Sequence, residues 1–172
     1  MHGFKGNGTV RQAGRGRGTV PGDTLTPSRC ARGVGDVVIN VLLRQHERWL
    51  CGEPDVARPD MHGMDLRGMH LRGVILTFAD LAGSRLNGAD LRDADLTGVI
   101  AHDADLRGAN LRHARLYAGD FRAGSFGGAE LGGADMEFAK LSGSVMIRAK
   151  LHGAKLLRAS GEEVTQTCDG SQ

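Results

Sequence analysis

The sequence predicts an all-β solenoid whose chain turns a corner every five residues. A five-residue pattern runs without insertion or deletion through twenty units, from Pro59 to Arg158. The third residue of every unit is apolar, and the fifth is Gly in eleven units. The whole chain of 172 residues contains 27 Gly and only 4% aromatic residues. This composition is typical of many tight corners around a narrow core.

The period of five fits neither an α-helix nor a simple alternating strand. It fits a chain that runs straight for three residues and then turns. The first and third residues of each unit would then point inward, and the others outward. Four such sides close one coil of twenty residues, and neighbouring coils pair like strands at roughly 4.8 Å. The repeats therefore predict about five coils over residues 59–158.

The third position of the units forms the predicted core, and it is Leu in fourteen of them. If residues twenty apart stack, the one small centre, Ala101, lies under the first large one, Phe121. Gly119 and Gly124 replace the usual Ala in the units centred on the two Phe residues, which leaves room for their rings. Representative core positions are Leu66, Leu86, Ala101, Leu106, Phe121 and Phe126.

Residues 34–58 precede the repeats and predict a helix and a linker. We expect the helix over 37–51, with Asp36 as its N-cap and Gly52 at its end. Its apolar stripe is predicted to contain Val38, Leu42, His46, Trp49 and Leu50. The helix would cover an exposed end of the solenoid, so we interpret His46 and Trp49 as packing residues rather than as cofactor ligands.

The two ends of the chain lack the repeat. Residues 1–33 contain eight Gly and one Leu without periodicity, which predicts a disordered basic tail. Residues 159–172 are polar and predict a frayed C-terminal tail.

The pattern is clearest in ADLAG (79–83), ADLTG (94–98) and ADLRG (104–108). It resembles the A(D/N)LXX motif of the pentapeptide-repeat family over 100 of the 172 residues. The stretch LRQHERWL (43–50) resembles leaders that precede the repeats in bacterial members. The resemblance implies a right-handed quadrilateral β-helix and a bacterial protein.

Composition and motifs argue against catalysis. A narrow solenoid filled with Leu offers no concave pocket with convergent polar groups, and no nucleophile, phosphate-loop or metal motif occurs. We therefore predict no enzyme, no cofactor and no metal. The three Cys share no motif spacing, which favours a reducing compartment. No apolar run is long enough to span a membrane and no secretory signal is present, so we expect a cytoplasmic protein without a membrane partner.

Each side of the predicted rod takes every fourth unit. Side one begins at Pro59, side two at Met64, side three at Met69 and side four at Val74. Side one carries a candidate acidic face: Asp60, Asp80, Asp103 and Asp120. Side three stacks Arg72, Arg92 and Arg112, although neighbours such as Asp90 favour local pairing over an anion site. Side four projects a candidate interface of Tyr117, Phe138 and Leu157, which the C-terminal tail could alternatively cover.

These surfaces favour a non-catalytic scaffold that binds a protein partner through side four. A homo-oligomer through the open C-terminal end is also expected, because unpaired backbone at a solenoid end invites pairing. The resemblance implies an alternative, a DNA mimic that binds gyrase or topoisomerase and confers quinolone or toxin resistance through the side-one acids. The repeat body is nearly neutral, a departure from that pattern. A third reading is nucleic-acid binding by Lys5, Arg11, Arg15 and Arg17 with the side-three arginines.

Overall fold

The structure, a computed structural model, describes residues 34–161. The predictions for residues 1–33, and for all but the first three residues of the polar tail, lie outside this part of the chain. Within it, one helix, α1 (Val34–Leu50), precedes a chain that pairs only through single-residue parallel bridges.

Helix α1 begins at Val34, two residues before the predicted N-cap. Asp36 is therefore the third helical residue, and the prediction of an Asp36 cap was wrong.

The C-terminal end of α1 agrees with the prediction. Gly52 has φ +69°, its N–H donates to the Trp49 carbonyl at 2.9 Å, and the Glu53 N–H donates to the Arg48 carbonyl at 3.1 Å. This pair of hydrogen bonds is the Schellman arrangement, which needs a residue of positive φ at the position of Gly52.

The buried face of α1 agrees only in part with the predicted stripe, of which His46 is buried and Leu42 packs against the core. Ile39, Leu43 and His46 are buried, whereas Val38 and Leu50 are exposed by 46% and 37%. Spacings of four and three residues keep the three buried side chains on one helical face, and Val38 lies about 100° away from Ile39. Ile39 and Leu43 belong to the same buried cluster as the first repeat residues, among them Met61 and Leu66.

The bridges establish the repeat of twenty residues. Every bridge in residues 60–160 joins the second residue of one unit to the residue twenty positions later, from Asp60↔Asp80 to Lys140↔Ser160. The pairing thus reaches Ser160, two residues past the predicted end of the repeats.

Three backbone hydrogen bonds link each side to its neighbours above and below. On side two, the Leu86 N–H donates to the Asp105 carbonyl at 2.7 Å, and the Asp105 N–H donates to the Ser84 carbonyl at 2.9 Å. The Gly88 N–H donates to the Arg107 carbonyl at 2.9 Å. The N–H groups of the second, third and fifth positions and the carbonyl groups of the first, second and fourth positions are in this way satisfied between coils, as buried groups require.

All twenty corners share one geometry. The N–H of each first residue donates to the carbonyl of the preceding third residue, as from Ala89 to Leu86 at 3.0 Å. Every fifth residue from Gly63 to Arg158 has positive φ, although nine of them are not Gly. This combination is typical of a type II turn, which places its third residue in the left-handed region.

The interior contains the first and third residues of the units. The six representative core positions, Leu66, Leu86, Ala101, Leu106, Phe121 and Phe126, are all at most 1% exposed. The Phe121 and Phe126 rings meet edge to face with centroids 5.5 Å apart. The bridge from Ile100 to Asp120 puts Ala101 and Phe121 in the same column, so the smallest centre adjoins one of the largest.

Candidate interaction surfaces

The Asp and Asn residues at the second positions of the repeats accept hydrogen bonds that stabilise the turns. Every Asp or Asn at a second position accepts a hydrogen bond from the backbone N–H two residues later, at 2.9–3.4 Å. That N–H precedes the corner and points away from the inter-coil ladder, so a short side-chain acceptor satisfies it locally. This role was not predicted from the sequence, although the preference for Asp or Asn at the second position of the unit was its signal.

Four of these carboxylates also hold an Arg in a two-pronged ion pair. In each pair, Asp at the second position binds the guanidinium of Arg at the fourth, with contacts of 2.6–2.8 Å; the pairs are Asp65–Arg67, Asp90–Arg92, Asp105–Arg107 and Asp120–Arg122. Hydrogen bonding to Arg67 lowers the pKa of Asp65 to about 2. The same contact holds the pKa of each of the other three below its ordinary value.

The candidate acidic face on side one is largely paired. Asp120 binds Arg122, and Asp103 lies 2.9 Å from Nδ1 of His102. Asp80 lies 3.5 Å from Arg58, a linker residue that the sequence analysis did not connect with it. Asp60 accepts the His62 N–H at 2.9 Å.

Ile100 stands between Asp80 and Asp120 in the bridged column of side one. The column is therefore not continuously acidic. His102, Asp103, Arg122 and Ala123 line an open depression on this side, where Asp103 contacts His102 and Arg122 binds Asp120.

The arginine column on side three is also paired. Arg72 contacts Asp93 of the next coil at 3.0 Å, and Arg92 binds Asp90. Arg112 contacts Glu130 at 2.5 Å. Local pairing of these arginines, which the sequence favoured over an anion site, is what the structure shows.

Side four carries an exposed apolar surface, which we call the aromatic patch: Tyr117, Phe138 and Leu157. The Tyr117 and Phe138 rings lie one coil apart with centroids separated by 5.3 Å. The Arg158 guanidinium lies 5.5 Å from the Phe138 ring centroid, at cation–π distance. Tyr117 and Phe138 are each 39% exposed and Leu157 is 65% exposed. The structure thus brings together the three residues of the candidate interface.

His46 occupies the boundary between α1 and the repeats. Its side chain is fully buried, its Nε2 lies 3.0 Å from the Thr77 carbonyl oxygen, and its ring is 5.6 Å from that of Trp49. A carbonyl can only accept, so Nε2 carries the proton and Nδ1 does not. Burial lowers the pKa of His46, with a smaller opposing effect from the Thr77 hydrogen bond.

No metal site and no membrane-spanning helix is found among residues 34–161. That part of the chain brings together no group of three or more His, Cys, Asp or Glu side chains fit for a metal ion. Helix α1, its one helix, is too short and too polar to cross a bilayer.

The geometry defines a repeat solenoid whose polar side chains bind one another on the outside. The family model for pentapeptide repeats matches eight copies, within residues 60–93, 75–112, 89–126 and 129–160. These matches span more than half of the sequence, and the chain belongs to the pentapeptide-repeat family. Proteins of this family fold as right-handed quadrilateral β-helices and are generally non-enzymatic. None of the curated protein sequences matches this chain.

Solved structures of the family resemble the chain over part of its length. A pentapeptide repeat protein of the Arabidopsis thaliana thylakoid lumen is 32% identical, with coverage of 55% of this chain and 62% of that one, at a TM-score of 0.35. The chain therefore spans less than two thirds of that protein. Rfr23 of the cyanobacterium Cyanothece 51142 is 19% identical, with 73% and 96% coverage and a TM-score of 0.29. Full-length QnrB1, a plasmid-mediated fluoroquinolone resistance protein, is 16% identical, with 59% and 62% coverage and a TM-score of 0.31.

Proposed function

We propose that this protein is a non-catalytic scaffold that binds a protein partner through the aromatic patch on side four. The observation that carries the proposal is the exposure of Tyr117, Phe138 and Leu157 together at one place on the rod. Two aromatic rings in contact present a rigid apolar surface at little cost in side-chain entropy, and such residues dominate protein interfaces.

The rest of the molecule supplies rigidity for that surface. We infer that α1 caps the N-terminal end of a right-handed rod of five coils. Its buried Ile39, Leu43 and His46 would then cover the first coil, whose Met61 and Leu66 are at most 1% exposed. The partner would meet a preformed surface, which limits the entropy lost on binding.

The patch can be tested with a matched pair of double variants. Phe138→Ser with Leu157→Ser removes the patch, whereas Ile75→Ser with Phe78→Ser changes equally exposed apolar residues at the other end of side four. Ile75 and Phe78 are 47% and 51% exposed. A photo-crosslinker at Glu137, beside Phe138, would capture the partner in cells, and calorimetry with the purified partner would then measure affinity.

We expect the patch variant to weaken binding by at least about tenfold, which corresponds to roughly 1.4 kcal/mol. The control variant should bind like the parent protein. Equal affinity of all three proteins would show that the patch does not carry the interaction.

Binding to DNA gyrase by duplex mimicry is a second candidate, supported by the acids of side one. It is the weaker of the two, because Asp80 and Asp120 each have an Arg partner within 3.5 Å. A supercoiling assay with purified gyrase tests it directly. Inhibition, or protection from a quinolone, that disappears in Asp60→Asn with Asp80→Asn would favour mimicry; no effect at micromolar protein would reject it.

A further inference from the structure

The terminal coil, residues 139–158, has a charge unlike that of the rest of the rod. It contains five Lys or Arg residues and no Asp or Glu, whereas residues 119–138 contain four acids and one Arg. A nearly neutral repeat body therefore ends in a basic ring.

The five bases surround the rod. Lys140 stands on side one, Arg148 on side two, Lys150 on side three, and Lys155 and Arg158 on side four. All five are exposed. Because each side contributes at least one base, the positive charge surrounds the end of the rod and does not mark one lateral face.

Acids of the preceding coil anchor part of this ring. Lys150 contacts Glu130 at 2.7 Å, and Lys155 contacts Asp135 at 4.0 Å. Within residues 34–161, no carboxylate lies within ion-pair distance of Lys140, Arg148 or Arg158. Among these residues, three cations of the terminal coil therefore lack a carboxylate partner, and one of them, Arg158, lies over the Phe138 ring.

The same coil exposes three large apolar side chains, although Leu141 and Met146 at two of its third positions are buried. Leu156 occupies a third position and is 39% exposed, whereas Met136, one coil earlier, is fully buried. Ile147 and Leu157 are 39% and 65% exposed. The terminal coil therefore combines three exposed apolar side chains with its basic ring.

We propose that the terminal coil docks end-on to an anionic lipid bilayer. Basic side chains attract the negative surface of the membrane, and neighbouring Leu and Ile side chains enter the boundary of headgroups and acyl chains. The phosphates of a nucleic acid would bind the cations but leave the exposed apolar side chains of the terminal coil in water. The coexistence of both features on one coil favours lipid over nucleic acid.

Vesicle co-sedimentation of the full chain tests the proposal. The vesicles are phosphatidylcholine with one quarter phosphatidylserine, or phosphatidylcholine alone. We expect binding to the anionic vesicles only, with a decrease as salt rises, because screening shortens the reach of surface charge.

Two matched comparisons separate the roles of charge and apolar contact. The triple variant Arg148→Gln, Lys150→Gln, Lys155→Gln should reduce partitioning by roughly 10- to 100-fold. The same charge change at Arg67, Arg72 and Arg107, each of which is ion-paired as Lys150 and Lys155 are, should reduce it by less than about threefold. Ile147→Ser should weaken binding severalfold, and Ile75→Ser should not.

Four results would overturn the proposal: absence of binding to anionic vesicles, equal binding to neutral ones, equal losses in the two triple variants, or unchanged binding of Ile147→Ser. Binding of a fluorescent DNA duplex without vesicle binding would assign the basic ring to nucleic acid instead. Phe138 and Leu157 are unchanged in every variant, so a loss of vesicle binding in these variants cannot be assigned to removal of the aromatic patch.

Discussion

A Cβ atom on Gly119 would lie 2.5 Å from Cε2 of Phe121, so the aromatic ring occupies the space that an Ala fills in most other units. The backbone of Gly119 does not have positive φ, and the Leu116 carbonyl oxygen would also be only 3.2 Å away. The absence of a side chain here is a packing requirement and not a requirement of the turn.

Gly119→Ala is therefore expected to destabilise the protein by about 1–3 kcal/mol, because the added methyl group displaces a buried ring. Thermal unfolding followed by circular dichroism measures the effect. In a Phe121→Leu background the same change should cost much less, because the smaller side chain leaves room. Equal costs in both backgrounds would show that the Phe121 ring is not the obstacle.

The interior of the coil is sensitive to charge. Leu106 is 1% exposed, and Leu106→Lys would bury an ammonium group without a partner. We expect a loss of at least about 4 kcal/mol, or failure to fold. Leu106→Met, which keeps volume and polarity, should cost less than about 1.5 kcal/mol. An unchanged melting temperature in the Lys variant would contradict the stacking of coils.

The corners offer a test of backbone strain that involves no packing. Ala123 has φ +55°, a conformation that costs an L-residue about 1 kcal/mol or more relative to Gly. Ala123→Gly should raise the free energy of unfolding by about 0.5–1 kcal/mol. Gly108→Ala is the converse change, since a Cβ there meets nothing within 4 Å. Opposite shifts of the melting temperature are expected, and shifts of the same sign would contradict the assignment.

The turn hydrogen bond and the ion pair of Asp105 can be separated. Asn110 makes the same backbone contact without a charge, at 3.3 Å. Asp105→Asn should therefore retain the turn and cost less than about 0.5 kcal/mol, because a surface ion pair contributes little. Asp105→Ala removes the acceptor as well and should cost about 1 kcal/mol. Chemical denaturation resolves the difference; equal losses would assign the stabilisation to the Arg107 pair.

His46 gives the docked helix a pH dependence. Burial lowers the pKa of the folded protein's His46 below its ordinary value of 6.5. The stabilising contribution of neutral His46 is therefore complete above about pH 6.5 and is lost as the pH falls below that value. We expect the melting temperature to fall between pH 7.5 and pH 5.5. His46→Gln should flatten this dependence, and the same change at the exposed His62 should not.

The sequence predicted the coil, the core and the corners because one constraint repeats twenty times. Each Leu at a third position independently predicts an inward-facing side chain. A wrong assignment in one unit is therefore corrected by the neighbouring units. Helix α1 occurs once and lacks that redundancy. Its buried face was predicted only in part because Val38 and Leu50 are as apolar as Ile39 and Leu43, and only contact with the first coil distinguishes them.

The surfaces were harder to predict because the polar side chains of this chain mainly form ion pairs and hydrogen bonds within the chain. Counting Asp residues along side one suggested an acidic face, but Arg58 belongs to the linker and reaches Asp80 across the chain. The basic terminal coil was visible in the sequence. The net charge of the whole repeat body is close to zero and conceals this coil, whereas the net charge of each coil taken separately reveals it.

Pairing between residues twenty apart also constrains how this chain can change in length. An insertion of five residues would keep every corner intact and yet carry everything downstream of it a quarter-turn around the axis. Tyr117 and Phe138 would then lose their alignment if the insertion fell between them, although no side chain had been altered. An insertion of twenty residues restores all columns and only lengthens the rod. Only insertions of four units, or of a multiple of four, therefore preserve the alignment of the outward-facing side chains. The interior, by contrast, accepts an insertion of any whole number of units.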